Sequence, residues 1–415
     1  MSKKYEDIEW DFLNNRYKYT HDIHKYPAKL VPGIVEKLLE RYQTKGMDTL
    51  FEPYVGSGTT LIEANIKGLN CIGTDLNPLA RKISKVKTTY INIQELTKKI
   101  EKFDHELIKV ELNINNLIVE YPKVTNIKYW FKKRNIKQLV PIKEWIDKIQ
   151  NQDIKDLFEI AFSETLREVS MTRNNEFKRY RIPKEDIEHY RKEAFFLMLG
   201  NLTQMRDKLE EYLKVSNKDS KINIYNFDTV QNIPEDILKE NSVDIVITSP
   251  PYGDSQSTVA YGQFSRFAND WLGHENSEKI DAMLMGGKRK KEEVYFDFPL
   301  LDDSLYKIKE QDSKRVREVM SFYSDYQKSI SNVAKVIKPG GIVAYVVGNR
   351  TIKGQLLKTD EVTKHFFEKN GFEHLETIIR NISRKRLPGK VAPTGKKGNK
   401  VKTMHKEYIV VMKKI

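Results

Sequence analysis

Two short stretches of this 415-residue chain carry side chains whose types and spacing suit chemistry. The first is Ser249-Pro250-Pro251-Tyr252, which follows the apolar, β-branched run Val243-Asp244-Ile245-Val246-Ile247. That run predicts a buried strand, and the prolines end it because neither can donate a ladder hydrogen bond. A hydroxyl, a rigid turn and an aromatic ring then stand at the carboxyl end of a strand, the edge where open α/β sheets bind ligands. The Ser249 hydroxyl and the Pro250 carbonyl can accept hydrogen bonds from an NH2 group while the face of Tyr252 stacks on its ring. Taken alone, Pro-Pro-Tyr after a strand is more often a turn with a packing tyrosine.

The second stretch gives the first its weight. Asp48 to Glu52 predicts a strand, Gly56-Ser57-Gly58 a turn, and Thr59-Thr60 the opening of a helix. Gly56 and Gly58 let the backbone approach a ligand, and the helix N-terminus offers unpaired N–H groups. A further predicted strand, Asn70 to Thr74, ends at Asp75, about where a βαβ unit places a carboxylate on a ribose diol. Position 61 is Leu61 rather than a third glycine, and the turn has no lysine for a nucleoside triphosphate. The assembly points to a nucleoside-bearing cofactor without a pyrophosphate.

Length allows one large domain with insertions, or two domains. No apolar run approaches a membrane span, and the N-terminal residues lack the apolar core of a signal peptide, so a cytoplasmic protein is expected. Cys71 is the only cysteine, which excludes an internal disulfide and a cysteine-based zinc cluster. The net charge of +14 suits a polyanionic partner. A solvated basic surface gives the same composition.

The elements that must position these residues follow a mixed pattern. Residues 1–90 hold the cofactor stretch, with helices expected from Gly33 to Tyr42 and from Asn77 to about Lys87. Residues 91–220 change to long, charged, helix-period segments, clearest over Glu95–Leu112, Ile142–Ile149 and Glu193–Leu213, and read as a helical insertion. Two clusters there interleave cations with aromatics, Tyr129 to Arg134 and Arg173 to Arg181. Charge runs are usually solvated faces, but stacking side chains in an already basic chain favour a nucleic-acid surface. Residues 221–415 return to strands. Asp228 ends the first of them, the catalytic stretch ends the second, and a polar insertion spans 256–315 with a basic, flexible segment at Gly286–Lys291. Pro339-Gly340-Gly341 is expected to turn a helix into the strand Ile342–Val347. A closing pair of strands flanks a basic hairpin containing Arg384-Lys385-Arg386 and Lys396 to Lys400. His21 and His24 lack carboxylate or cysteine neighbours at ligand spacing, so no metal site is expected; they read as polar residues of a loop over a pocket.

Taken together, His24 to Lys29, Phe51 to Thr60, Gly73 to Pro78 and Thr248 to Tyr252 resemble the amino-methylating DNA methyltransferases. These enzymes methylate N4 of cytosine or N6 of adenine with S-adenosylmethionine. Thr258 to Arg266 is similar to the segment that follows the catalytic motif in one bacterial subgroup. The resemblance implies a Rossmann-like α/β fold with a seven-stranded, mostly parallel sheet and an antiparallel last strand. It implies that Gly56, Gly58 and Thr59 line the methionine part of S-adenosyl-L-methionine, with Glu52 near its amino group and Tyr54 beside it. Glu52 and Tyr54 stand where the family usually has Asp and Phe. Asp75 and Leu76 would meet the ribose and Asp228 the adenine amine, while Pro27 and Lys29 close over the methionine end. Ser249, Pro250, Pro251 and Tyr252 would hold a base flipped from double-stranded DNA. Serine at 249, where adenine enzymes more often carry Asp or Asn, implies N4 of cytosine. Cytosine C5 chemistry needs a cysteine nucleophile near the motif and is excluded. N6-adenine methylation, RNA or protein amine methylation and a catalytically dead DNA-binding protein are the rivals. A prokaryotic or phage setting follows, with a cognate restriction endonuclease as a possible partner.

Overall fold

The apolar runs assemble because strands with two buried faces must pair on both edges and be covered on both sides. A computed structural model describes residues 3–13, 17–173, 176–254, 258–382 and 405–415. Its strands are β1 (Lys3–Glu6), β2 (Thr49–Glu52), β3 (Asn70–Thr74), β4 (Ile222–Tyr225), β5 (Val243–Thr248), β6 (Ile337–Val347), β7 (Arg350–Ile352), β8 (Gln355–Leu357), β9 (Phe372–Asn381) and β10 (Lys406–Lys414). Eight of them form one sheet in the order β1-β9-β10-β6-β5-β2-β3-β4, and β7 pairs with β8 in a small hairpin. Neighbours from β6 to β4 run parallel, while β10 is antiparallel to both β6 and β9. The expected seven strands are therefore present, with one more at the edge. That strand, β1, pairs parallel to β9. Its side chains are mostly exposed, so it carries no apolar run; polar edge strands are held by their backbone.

Side chains alternate across the sheet with period two. Val343, Tyr345 and Val347 of β6 face the layer formed by the helices Pro299–Gln311, Ser313–Val336 and Thr359–Glu368. Ile342, Ala344 and Val346 face the other layer, where the helix Pro32–Tyr42 packs. Pro339-Gly340-Gly341 does not sit outside the sheet: β6 begins at Ile337 and runs through it, with a register shift opposite β5. A Cβ on Gly341 would lie 2.6 Å from Ile337 Cγ2, 2.9 Å from the Lys338 carbonyl oxygen and 3.0 Å from the Asp244 carbonyl oxygen, so the bend of β6 against β5 requires glycine there.

The helical insertion centres on a helix that the sequence did not reveal, Gln152–Val169. Almost every side chain on it is buried, including Asp156, Glu159 and Glu164. Charged residues on all faces blur the apolar stripe, yet each of these buried carboxylates finds a cation outside the helix. Lys82 and Lys85 pair with Asp156, Lys82 with Glu159 and Lys25 with Glu164. The stretch 256–315 divides between layers instead of forming one insertion. The helix Tyr261–Trp271 buries Phe264, Phe267 and Trp271 in the core of the helical region, which also takes in Ile23 and Tyr26. Leu301, Leu305 and Ile308 of the helix Pro299–Gln311 join the sheet layer. The segment Gly286–Lys291, expected to be flexible, is seated on the helix Ser313–Val336. The Lys290 N–H donates to Ser321 at 2.8 Å, and Arg289 pairs with Glu318. The basic hairpin between β9 and β10 lies outside the described residues. No helix among the described residues is long and apolar enough to cross a membrane.

Candidate active site

The carboxyl ends of β2, β3, β4 and β5 open onto a cavity. Pro27, Lys29, Glu52, Tyr54, Gly56, Thr59, Asp75, Leu76, Asp228, Ser249 and Pro251 all line it. Glu52, the last residue of β2, is buried, and its carboxyl accepts the Tyr54 N–H at 3.1 Å and the Thr248 hydroxyl. Burial pushes its pKa up to about 8. Asp75 accepts the Gly56 N–H at 2.9 Å and the Asn77 N–H at 2.8 Å, so its carboxylate fixes the glycine turn, and burial raises its pKa. Asp228 accepts the Val230 N–H at 2.9 Å, and burial raises its pKa as well. Three carboxyls thus line the cavity as acceptors, and S-adenosylmethionine offers an ammonium, ribose hydroxyls and an exocyclic amine as donors. The residues present fit that group.

Gly58 is the exception among the expected contacts. It does not line the cavity; its φ is +77°, and a Cβ there would lie 3.0 Å from both Cα and Cβ of Ser84. Glycine at this position serves the packing of the helix Thr59–Ile66 against Pro78–Thr88. Gly56, with φ +51°, does line the cavity, and a Cβ there would make ordinary contacts with the Tyr26 ring at 3.6 Å and the Tyr54 carbonyl oxygen at 3.8 Å.

The loop over the cavity is pinned by its histidines. His21 Nε2 lies 2.7 Å from Glu63, and His24 Nε2 lies 3.0 Å from the Ser163 hydroxyl. Burial pushes the His21 pKa down to about 3 and that of His24 to about 4, so both are neutral near pH 7. Lys29 donates to the His21 carbonyl at 3.2 Å, which draws the cavity-lining part of the loop inward.

A second cavity, about 1830 Å³, adjoins the first. The two share Ala28, Lys29, Leu30, Ser249, Pro251 and Tyr261, and the second adds Pro250, Tyr252, Arg350, Arg380 and Glu407. At their junction the Ser249 hydroxyl donates to Tyr252 Oη at 3.2 Å, and Tyr252 Oη donates to Glu407 at 3.1 Å. Sequence reasoning gave Tyr261, Arg350, Arg380 and Glu407 no role. The last three come from β7, β9 and β10, so no local spacing links them to Ser249. Tyr261 and Tyr26, whose rings stack at 5.9 Å, stand within the segments His24 to Lys29 and Thr258 to Arg266 as aromatics beside motif residues.

The two basic–aromatic clusters meet in space. The Arg181 guanidinium lies 4.1 Å over the Tyr129 ring, and Arg179 lies 5.3 Å over Trp130 and 5.2 Å over Phe267. Arg134 is engaged by Glu111 and Glu193. Part of the charge therefore holds the clusters together.

Residues 1–86 match the family model described as DNA methylase. Over the whole chain and 96% of its relative, the sequence is 36% identical to the Type II methyltransferase M.MvaI of Kocuria varians. A shorter match, 39% identical over 22% of this chain and 18% of the relative, is to the Type II methyltransferase M.MjaII of Methanocaldococcus jannaschii. A third, 22% identical, covers 57% of this chain and 50% of the Type II methyltransferase M.BsoBI of Geobacillus stearothermophilus. The chain belongs to the amino-methylating (N4/N6) family of Type II DNA methyltransferases, and S-adenosylmethionine is its methyl donor.

Proposed function

We propose that the chain methylates the exocyclic N4 of cytosine in double-stranded DNA, after the base is flipped from the helix. The observation that carries this reading is the junction of the two cavities at Ser249 and Pro251. It sets the donor cavity beside one with room for an extruded base. An exocyclic amine is a poor nucleophile because its lone pair is delocalised into the ring. Ser249 and the Pro250 carbonyl accept its hydrogens and favour the tetrahedral form, and alignment supplies much of the rest. Glu52, Gly56, Thr59, Pro27 and Lys29 hold the methionine end of the cofactor, Asp75 and Leu76 the ribose and Asp228 the adenine. Gly58 supports that site through packing.

Arg350 favours cytosine over adenine. Its guanidinium lines the second cavity, with Nη2 paired to Asp254 at 3.7 Å and Nη1 against Gly253, which leaves it N–H donors beyond that pair. Cytosine presents two adjacent acceptors, N3 and O2, beside its amine, whereas adenine presents N1 beside a C–H. The Tyr129 to Arg134 and Arg173 to Arg181 clusters are the proposed DNA surface of the helical region. A cognate restriction endonuclease and a cytoplasmic site of action complete the reading. Mass spectrometry of nucleosides from unmodified genomic DNA treated with the protein and S-adenosylmethionine tests it. N4-methylcytosine is expected, and N6-methyladenine as the sole product would overturn the cytosine assignment.

A further inference from the structure

Ser249 is an ambivalent group. A hydroxyl both donates and accepts, and only as an acceptor does it draw hydrogen density from the target amine. What decides its direction lies 158 residues away in β10. Glu407 is a carboxylate in a salt bridge with Arg380, and an ionised carboxylate only accepts. Tyr252 Oη must therefore donate to Glu407, at 3.1 Å, and the Tyr252 lone pair then receives the Ser249 hydroxyl hydrogen, at 3.2 Å. The remaining lone pairs of Ser249 are left for the amine. Arg380 is itself fixed, since Nε donates to the Trp10 carbonyl at 2.7 Å and Nη2 to the Asp11 carbonyl at 3.0 Å. Nothing in this chain has to rotate at the moment of reaction, which is the property preorganised catalysis needs.

We propose that Glu407 is the positioning residue for the target amine and the end of its proton path, an inference that rests on the amine-methylating reading of Ser249. As the N–CH3 bond forms and the donor's S–CH3 bond breaks, the exocyclic nitrogen becomes cationic and sheds one proton. That proton goes to Ser249 Oγ as the Ser249 proton passes to Tyr252 Oη and the Tyr252 proton to Glu407. Glu407 ends as a neutral carboxyl and returns the proton to water in the second cavity, which it lines. Tyr252 thus contributes its hydroxyl as well as its ring.

Single-turnover methylation of unmodified genomic DNA by the full-length protein, with radiolabelled S-adenosylmethionine, tests the chain of bonds. Glu407→Gln keeps the shape and an oxygen acceptor but removes the charge and the proton sink. The single-turnover rate is expected to fall about 100-fold, the lower range of general acid–base effects. Cofactor Kd and DNA KM are expected to stay within about threefold of the parent, a split that simple loosening of β10 would not give. Tyr252→Phe breaks the chain midway while leaving the Glu407–Arg380 pair and the stacking face intact, and it is expected to show the same loss. It decides the matter if Glu407→Gln fails to fold. Turnover by Tyr252→Phe within about threefold of the parent overturns the inference, as does a Glu407→Gln defect confined to cofactor or DNA binding. A parent protein that methylates no amine in DNA would instead defeat the underlying functional reading.

Discussion

Glu52 is held protonated at pH 7 by its burial, with a pKa of about 8 against an ordinary 4.5. An ammonium group placed beside it would favour the ionised form, so cofactor binding near pH 7 is expected to release up to about one proton. Calorimetry in buffers of different ionisation enthalpy measures that release, and Glu52→Gln is expected to abolish it. The same shift has a sign for stability. The folded state binds this proton more tightly than the unfolded chain, so the contribution of Glu52 is full below pH 4.5 and declines as pH rises toward 8. Glu52→Gln is therefore expected to flatten the fall in Tm between pH 6 and pH 8. The two glycines of the turn separate in a comparable way. Gly58→Ala meets the Ser84 backbone at a left-handed φ and is expected to cost about 2–4 kcal/mol. Gly56→Ala has room, and its cost is expected near 1–2 kcal/mol, with its effect read mainly in cofactor Kd. Denaturant titration and cofactor titration of both variants check this. Gly58 was legible as a required glycine but not for the right reason, because the partner that requires it, Ser84, is on another helix.

Helices and strands with one clean period were legible: Pro32–Tyr42, Pro78–Thr88, Ile93–Leu112 and Ala194–Leu213 lie within a few residues of their expected bounds. Gln152–Val169 was not, because a helix buried on every side shows no polar face, and its carboxylates are neutralised by Lys25, Lys82 and Lys85 from elsewhere. The helix Tyr261–Trp271 was seen only as a motif. It starts at Tyr261, which lines both cavities, and ends at Trp271, buried against Phe131 and Phe162. Trp271→Ala is expected to cost about 3–5 kcal/mol by cavity formation. It is also expected to weaken cofactor binding at a distance, because the helix carries Tyr261 with it. Thermal melts with and without S-adenosylmethionine measure both effects.

DNA affinity of the intact protein is expected to fall steeply with salt, with a slope of roughly −0.9 per phosphate contacted. The cations that can be spared from packing are the informative ones. Lys133 is exposed and Lys178 only half-buried, whereas Arg179 lies over Trp130 and Phe267. Lys133→Gln with Lys178→Gln is expected to flatten the slope with little change in Tm, and Arg179→Gln to lower Tm as well. An unchanged slope would place the DNA surface elsewhere, with the basic residues between Ile382 and His405 as the next candidates. Net charge announced a polyanionic partner; which of the cations are free to meet it depended on the ring contacts of the folded chain.

The pairing of Lys3 with Glu376, and of Arg380 with the carbonyls of Trp10 and Asp11, ties residues 3–11 to residues more than 360 positions later. At about 5–20 residues per second, the N-terminal strand waits roughly 20–75 s on the ribosome before its partner exists. The residues that line the donor cavity fall between 26 and 285, and two of them, Tyr54 and Thr229, are held by Ser329 of a later helix. Glu407 and Arg380 lie on β10 and β9, after every residue that lines the donor cavity. The residues that line the cofactor cavity are thus synthesised before Arg380 and Glu407, the groups that orient the base.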